Sequence, residues 1–564
     1  MTMIHAPLAR AWQYRRPAAL SVAFVSLLAA CSPDQTSQTA TGSTRPRDPS
    51  TGADPGPQAD ALGTLREAPA KVAAPSTLAV GGAPVPSAPM PEPTTDRFTD
   101  AEQNPVKVVA EEPVSTFSSD VDTASYAVAR RYLREGQMPP AGAVRVEEMI
   151  NYFPYDLAGP SDPARPFTTR VAVMPNPWNV DTKLMTVSIK ALDLSEGRRP
   201  PLNLVLLVDV SGSMGPPDRL ALLKTSFIDF ARSLRDEDKI SIVTYASGVA
   251  TVLEPTSGEN KRKIIAAIEG LGAGGSTAGA DGIERAYGLA RANFDRHAVN
   301  RVILATDGDF NVGITDPKAL ESYVVEQRKQ GIYLSVLGVG IGNLNDALMQ
   351  RMAQAGNGNA AYVDSAIEGR KVLQEEAAST LVPVADDVKF QVEFNPQKVS
   401  EYRLIGYETR ALRRQDFTDD RIDAGDVGSG KVVTAIYEIT PAGSRGYVEP
   451  LRYGTPEATS GSTDHGEEFA HLRIRYKQPG HDTSALIERP VTASDVVAGL
   501  GDASDDQRFA VAVAAYGQKL AGVSFVADLS WSQIADLAQG ARGEDVNGYR
   551  AEFVQLIKAA DSID

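Results

Sequence analysis

The sequence predicts a multidomain α/β plus β protein. A doubly wound, Rossmann-like α/β domain over residues 201–366 is flanked by strands of a β-sandwich. A helical C-terminal region closes the chain, and a disordered tether precedes the folded part. Three observations carry this. Continuous apolar strand patterns alternate with helical ones from Leu202 to Val363, as in units with a parallel sheet. Segments of period two lie on both sides of that stretch, as in antiparallel sheets with one solvated face. Residues 32–97 hold no aromatic residue and 12 of the 37 prolines, too little apolar surface to offset the entropy of ordering.

Residues 1–30 read as an export signal. Arg10, Arg15 and Arg16 precede a short apolar run from Ala18 to Ala30, too short for a stable spanning helix. The run ends Leu28-Ala29-Ala30-Cys31, which resembles the bacterial lipobox, with Cys31 as the lipid attachment site. Residue Ser32 in place of Asp resembles an outer-membrane sorting signal. Residues 31–104 then form a lipid-anchored, Pro/Ala/Thr-rich linker with a coil reach of about 45 Å.

Residues 105–160 are expected to form an N-terminal helical region. Ser125 to Glu135 places Tyr126, Ala129, Tyr132 and Leu133 on one face, and Val144 to Phe153 presents Val146, Met149, Ile150 and Phe153. Residues 161–200 alternate as strands, expected to share a β-sandwich with residues 386–480.

Within 201–366, Leu204-Val205-Leu206-Leu207-Val208 reads as a strand buried on both faces. A helix is expected from Arg219 to Leu234, then strands at Ile240–Tyr245 and, at an edge, Thr251–Leu253. Helices follow at 259–269 and 279–292, a buried strand at Arg301–Thr306, and a helix at 317–330. The strand Tyr333–Gly338, a helix at 344–355 and the strand Ala360–Val363 complete the unit. The 3-2-1-4-5-6 order of doubly wound sheets would set the first strand beside the fourth. Residues 380–490 are expected to be β-rich, with alternation at Val388–Phe394, Val433–Ile439 and His471–Lys477. Residues 491–564 return to helix.

Composition narrows the function. Lys and Arg number 56 against 72 Asp and Glu, a net charge of −16, so the basic footprint that nucleic acid requires is absent. One cysteine excludes a disulfide framework and a Cys-based zinc site. The five histidines form no H-x-x-x-H pair.

The chemistry gathers at strand ends. Asp209-Val210-Ser211-Gly212-Ser213 follows the first strand, and Asp307 follows the fourth. Ligand sites of open α/β sheets lie at that crevice. Gly274-Gly275-Ser276-Thr277 precedes a helix and adds hydroxyls. All these donors are oxygen, which suits a small hard cation, Mg2+ first, with Mn2+ or Ca2+ as alternatives. A cation held largely by hydroxyls stays electrophilic and keeps an exchangeable position.

Residues 202–365 resemble a von Willebrand factor type A (VWA) domain. The D-x-S-x-S of Asp209, Ser211 and Ser213, with Thr277 and Asp307, is similar to that family's metal-ion-dependent adhesion site. The resemblance implies that Ser211, Ser213 and Thr277 contact the metal directly, and Asp209 and Asp307 directly or through water. Thr116 to Thr123, Arg145 to Phe153, Thr306 to Gly313 and the 383–558 tail further resemble bacterial lipoproteins of the YfbK-like family.

The expected function is therefore a cell-envelope lipoprotein that displays a metal-dependent protein-binding domain. An acidic side chain of a protein partner would complete the metal shell. No catalytic residue and no small-molecule cofactor are expected, and the N-terminal lipid supplies the membrane contact. A metal-assisted hydrolase and a structural lipoprotein with a vestigial site are the rivals; Asp309 is the only nearby base for the former. Other motifs read as structure. Asp120-Val121-Asp122-Thr123 mimics a phosphatase nucleophile motif, but Ser115 to Ser119 makes a poor preceding strand, so capping is favoured. Gly338-Val339-Gly340-Ile341-Gly342 lacks dinucleotide-loop spacing, and Gly272 to Gly275 lacks the Lys of a P-loop.

Overall fold

A computed structural model describes residues 95–99, 102–162, 165–194, 199–276, 281–308, 316–340, 342–375, 382–422, 424–449 and 465–564. The signal segment, Cys31 and most of the expected tether lie outside them. The tether is expected to run to residue 104, but the folded body begins earlier. Asp96 accepts hydrogen bonds from the N–H groups of Gly342 (2.9 Å) and Leu344 (2.8 Å) and from the Tyr132 hydroxyl. Asn104 donates to the carbonyls of Leu404 and Gly406.

The N-terminal region is not purely helical, which corrects the reading of 105–160. It opens with β1 (Lys107–Val108) and β2 (Val114–Ser118), followed by α1 (Ala124–Arg134) and α2 (Val146–Ile150). Strand β2 includes the Ser- and Thr-rich stretch judged a poor strand. Its backbone is held on both sides, and Phe117 stacks on Phe390 with ring centroids 5.0 Å apart. Cross-strand packing overrides a weak local preference here. Strands β3 (Phe167–Pro175) and β4 (Lys183–Ala191) complete this part.

The α/β unit comes next in the chain. Its strands are β5 (Leu202–Asp209), β6 (Lys239–Tyr245), β7 (Val249–Ser257), β8 (Val299–Thr306), β9 (Ile332–Val339) and β10 (Ala360–Val363). They align in the order β10-β9-β8-β5-β6-β7, the doubly wound order, with only the edge strand β7 antiparallel. All eight residues of β5 and of β8 are buried, as a strand covered on both faces requires. Helix α3 (Leu222–Ser233) and α4 (Lys261–Glu269) pack on one face. Helices α5 (Gly282–Ala292), α6 (Pro317–Lys329) and α7 (Asp346–Ala355) pack on the other, and the short α8 (Ala366–Arg370) follows β10.

The remaining strands are β11 (Pro383–Phe394), β12 (Val399–Ile405), β13 (Ala411–Leu412), β14 (Val427–Gly428), β15 (Val432–Pro441), β16 (Glu468–Lys477) and β17 (Ser484–Thr492). Two sheets form, β1-β12-β15-β4-β3 and β13-β2-β11-β16-β17. Strands from before and after the α/β unit thus share one sheet: β4 pairs with β15 from Lys190 opposite Val432 to Lys183 opposite Ile439. Val173, Val187, Phe390, Val392, Tyr437 and Ile474 fill the space between the sheets.

The expectation of one wet face holds for β16, whose residues alternate between buried and half-buried. It fails for β15, which is buried throughout between its ends. The outer face of its sheet is covered by α2 and by the C-terminal helices α9 (Asp505–Leu520), α10 (Trp531–Gly540) and α11 (Tyr549–Ile563). Ile405 and Ile436 reach into that helical core with Phe153, Phe509 and Phe553.

Helix α1 is buried on two sides. Tyr126, Ala129 and Leu133 enter the helical core, while Ala127, Val128 and Tyr132 enter the α/β core. Between them, Arg130 bridges three parts of the chain through Asp364, Glu368 and Glu552.

Candidate metal centre

The site lies where β5 and β8 end side by side. Their register pairs Val208 with Ala305, so Asp209 and Asp307 emerge at the same rim. The Ser211 N–H donates to Asp209 Oδ1 at 2.8 Å, which folds the loop back over the carboxylate. The Ser211 and Ser213 hydroxyls are 2.9 Å apart. Met214 is fully buried and anchors the loop from below.

The loop after α4 is laced to this one. Gly212 N–H donates to the Gly275 carbonyl (2.9 Å), and Gly274 N–H to the Val210 carbonyl (2.8 Å). Ser247, just past β6, accepts from Ser276 N–H at 2.9 Å. Gly275 has φ +84°, and a Cβ there would stand 2.5 Å from Ser247 Oγ, so the lacing requires glycine. On the other side, a Cβ on Gly308 would fall 2.0 Å from the Asn343 carbonyl, which brings loop 342–345 against the rim.

The electrostatics are unbalanced. Asp209 and Asp307 are buried, and among the described residues Asp209 Oδ2 and Asp307 Oδ1 have no hydrogen-bond partner. A buried carboxylate oxygen without a donor is costly. Burial pushes the Asp209 carboxyl up to about 6, and the Asp307 charge adds to it; the Ser211 N–H and hydroxyl oppose the shift. Two orphaned carboxylate oxygens beside a pair of hydroxyls form an oxygen-only donor set that fits a small divalent cation.

Sequence reasoning missed one residue. Arg219 donates to Asp307 Oδ2 and, at 2.8 Å, to the Ser213 carbonyl. It sits at a kink, with φ −120° and ψ −106°, inside the turn at 217–221 that leads into α3. Its side chain lies across Gly340, where a Cβ would come within 2.4 Å of Nε. In sequence it reads as a polar residue at a helix start, and only the fold places it on the rim. Of the predicted site residues, the structure brings together Asp209, Ser211, Ser213 and Asp307. Thr277, Asp309 and Cys31 lie outside the described residues.

The phosphatase-like motif resolves as structure. Asp120 and Asp122 both pair with Arg410, at 2.8 and 2.9 Å, and Asp122 Oδ1 accepts from Ala360 N–H. Its preceding strand exists, contrary to expectation, but the carboxylates clamp the sandwich to the α/β unit.

Known proteins resemble this chain over its α/β domain and beyond it. Three family profiles match: uncharacterized protein YfbK, C-terminal, over residues 379–563; von Willebrand factor over 92–186; and von Willebrand factor type A domain over 203–375. Uncharacterized protein YfbK of Escherichia coli (strain K12) is 46% identical over 477 residues, 84% of this chain and 82% of that one. Inter-alpha-trypsin inhibitor heavy chain H4 of Homo sapiens is 27% identical over 196 residues, 33% of this chain and 21% of that protein. Among solved structures, a von Willebrand factor type A protein from Catenulispora acidiphila aligns with 70% of this chain and 89% of its own, at 16% identity and a TM-score of 0.38.

Proposed function

The chain belongs to the YfbK family of von Willebrand factor type A proteins, and from that premise we propose that it is a binding protein, not an enzyme. Its α/β domain takes a divalent cation at the Asp209–Asp307 rim and, through it, a carboxylate of a protein partner. The observation that supports this most is the pair of buried oxygens, Asp209 Oδ2 and Asp307 Oδ1, that find no hydrogen-bond partner among the described residues.

Asp209, Asp307, Ser211 and Ser213 would hold the ion, with Thr277 as the ligand implied by the family motif. When bound, the ion supplies an electrophilic position for an acidic side chain. The residues of this chain do the rest. The Ser211 N–H fixes the Asp209 carboxylate, the Gly212–Gly275 lacing fixes the hydroxyls, and Arg219 offsets part of the negative charge. Mg2+ is the proposed ion, because hydroxyls and two carboxylates suit a hard cation that keeps some of its water. We further propose a cell-envelope location with Cys31 as the lipid anchor. That part rests on the sequence of residues 1–31.

Partner capture from a cell-envelope extract on the full mature chain tests the reading. A protein retained with Mg2+, released by EDTA and lost with Asp209→Ala is the expected result. Identical catches in all three conditions would remove the metal rim as the recognition element.

A further inference from the structure

Six arginines are buried among the described residues, and five of them face carboxylates. Arg130 meets Asp364 and Glu368, Arg145 meets Glu148 and Asp346, and Arg403 meets Glu438. Arg410 meets Asp120 and Asp122, and Arg550 meets Asp506. Arg301 is the exception. It lies on β8 and is 3% exposed. Its Nη1 donates to Ser335 Oγ at 2.7 Å and its Nη2 to the Asn357 carbonyl at 3.4 Å, while the buried Nε finds no acceptor among the described residues. The Tyr333 ring is 5.5 Å away. Among the described residues no carboxylate stands at ion-pairing distance. The consequence shows in its acidity: burial pulls the Arg301 guanidinium down to about 10 and outweighs the opposing effects of Tyr333 and of the more distant Asp426, whereas Arg130, Arg145 and Arg410 move up beside their partners.

Arg301 also lines a cleft of about 360 Å³ between the α/β unit and the sandwich. Tyr333, Asn357 and Arg328 form one wall, and Arg410, Leu412 and Asp426 the other. That volume is within the range of small-molecule sites. Two of the three acids that line the cleft are otherwise engaged: Asp426 accepts from Asn357 Nδ2 at 2.6 Å, and Asp120 from Arg410. A buried guanidinium without a counter-ion is expensive to keep, and its planar fork matches an oxyanion through two parallel hydrogen bonds.

We propose that this cleft binds a small molecule bearing one carboxylate or phosphate group, which supplies the counter-ion that Arg301 lacks. The lining carries four cationic side chains, Arg301, Arg328, Arg410 and Lys431, against three acids, Glu321, Asp120 and Asp426. The small positive excess favours a ligand of low charge and disfavours polyanions. The site is separate from the metal rim. Arg301 and Asp307 are six residues apart on one extended strand, about 20 Å, so the proposal does not depend on metal binding.

The test uses the full mature chain, with inorganic phosphate and succinate as probes against chloride at matched ionic strength. Melting point and titration calorimetry are the readouts. The expected result is a saturable upward shift with at least one probe; phosphate alone or succinate alone identifies the acidic group. Arg301→Met weakens binding at least tenfold, while its own melting point without probe does not fall below wild type, because an uncompensated buried charge is gone. Arg301→Lys keeps the charge, loses the fork and gives an intermediate loss. Asp209→Ala leaves the shift intact. No saturable shift with either probe, or an undiminished shift in Arg301→Met, overturns the proposal.

Discussion

At the junction of α1, the α/β unit and α11, Arg130 touches Asp364, Glu368 and Glu552, and the Tyr152 hydroxyl donates to Glu368 at 2.7 Å. At the rim, Asp209 and Asp307 are just as deeply buried, yet each keeps one oxygen without a hydrogen bond among the described residues. Both regions bury carboxylates at strand ends of one sheet, Asp364 just past β10 and Asp209 and Asp307 at the ends of β5 and β8. They differ in whether the chain itself completes the charge. Where it does, the charges join pieces of the fold; where it does not, the position is left for something that arrives later.

Removing one partner of a buried network should have the largest effect. Arg130→Met leaves Asp364 and Glu368 without a counter-charge and should cost about 3–5 kcal/mol in chemical denaturation. A loss below about 1 kcal/mol would mean that the junction is no better satisfied than the rim.

Asp209→Ala should behave in the opposite way. Without metal, its stability should equal or exceed wild type, because it removes a buried, incompletely bonded charge. With Mg2+ at a hundred times the dissociation constant, wild type should gain about 2.7 kcal/mol and the variant nothing. Melting with Mg2+ and with EDTA reads both numbers, and a variant that Mg2+ stabilises as much as wild type would sink the comparison.

Arg219→Met sharpens the contrast further. Arg219 makes a charge-assisted contact to Asp307 that competes with an incoming cation. Its removal should tighten Mn2+ binding about tenfold in calorimetry, since such contacts are worth about 1.5–3 kcal/mol. Weaker binding would show that Arg219 supports the site instead.

The smallest effect concerns Glu147 in α2, which is buried, has an Oε2 without a hydrogen-bond partner among the described residues and lies near Glu408 and Glu148. Burial, followed by those two charges, raises its carboxyl above the usual 4.5, to about 7. The folded state therefore holds its proton more tightly than the unfolded chain does. That contribution to stability is complete below pH 4.5 and is lost as pH rises through about 7. Glu147→Gln should flatten the denaturation midpoint over that window and raise it at alkaline pH.

Much of this was legible because the relevant signals are local. The runs Leu204–Val208 and Arg301–Thr306 read as buried strands, and the acids behind them follow at once. Doubly wound order then places Asp209 beside Asp307 without further information. Contacts made across the chain were not legible. Arg219 looks like a helix-start residue until Gly340 and Asp307 close around it, and Arg301 looks like a strand-edge arginine until Ser335 and the sandwich bury it. Strand β2 is polar and short, and only Phe390 and its two neighbouring strands explain why it is extended. Period two predicted a strand at β15 but said nothing of the helices that cover its second face.

The chain reaches the folded body at Thr95–Arg97, where it is tied by hydrogen bonds to loop 342–345. That loop's Asn343 carbonyl presses on Gly308, next to Asp307. A pull on the N-terminal segment is thus delivered first to the rim and not to the sandwich. Under the proposed anchoring and cation binding, force and ion would meet within a few residues of each other, so a load on the N-terminal segment would be felt at the proposed partner site before it strained the rest of the protein.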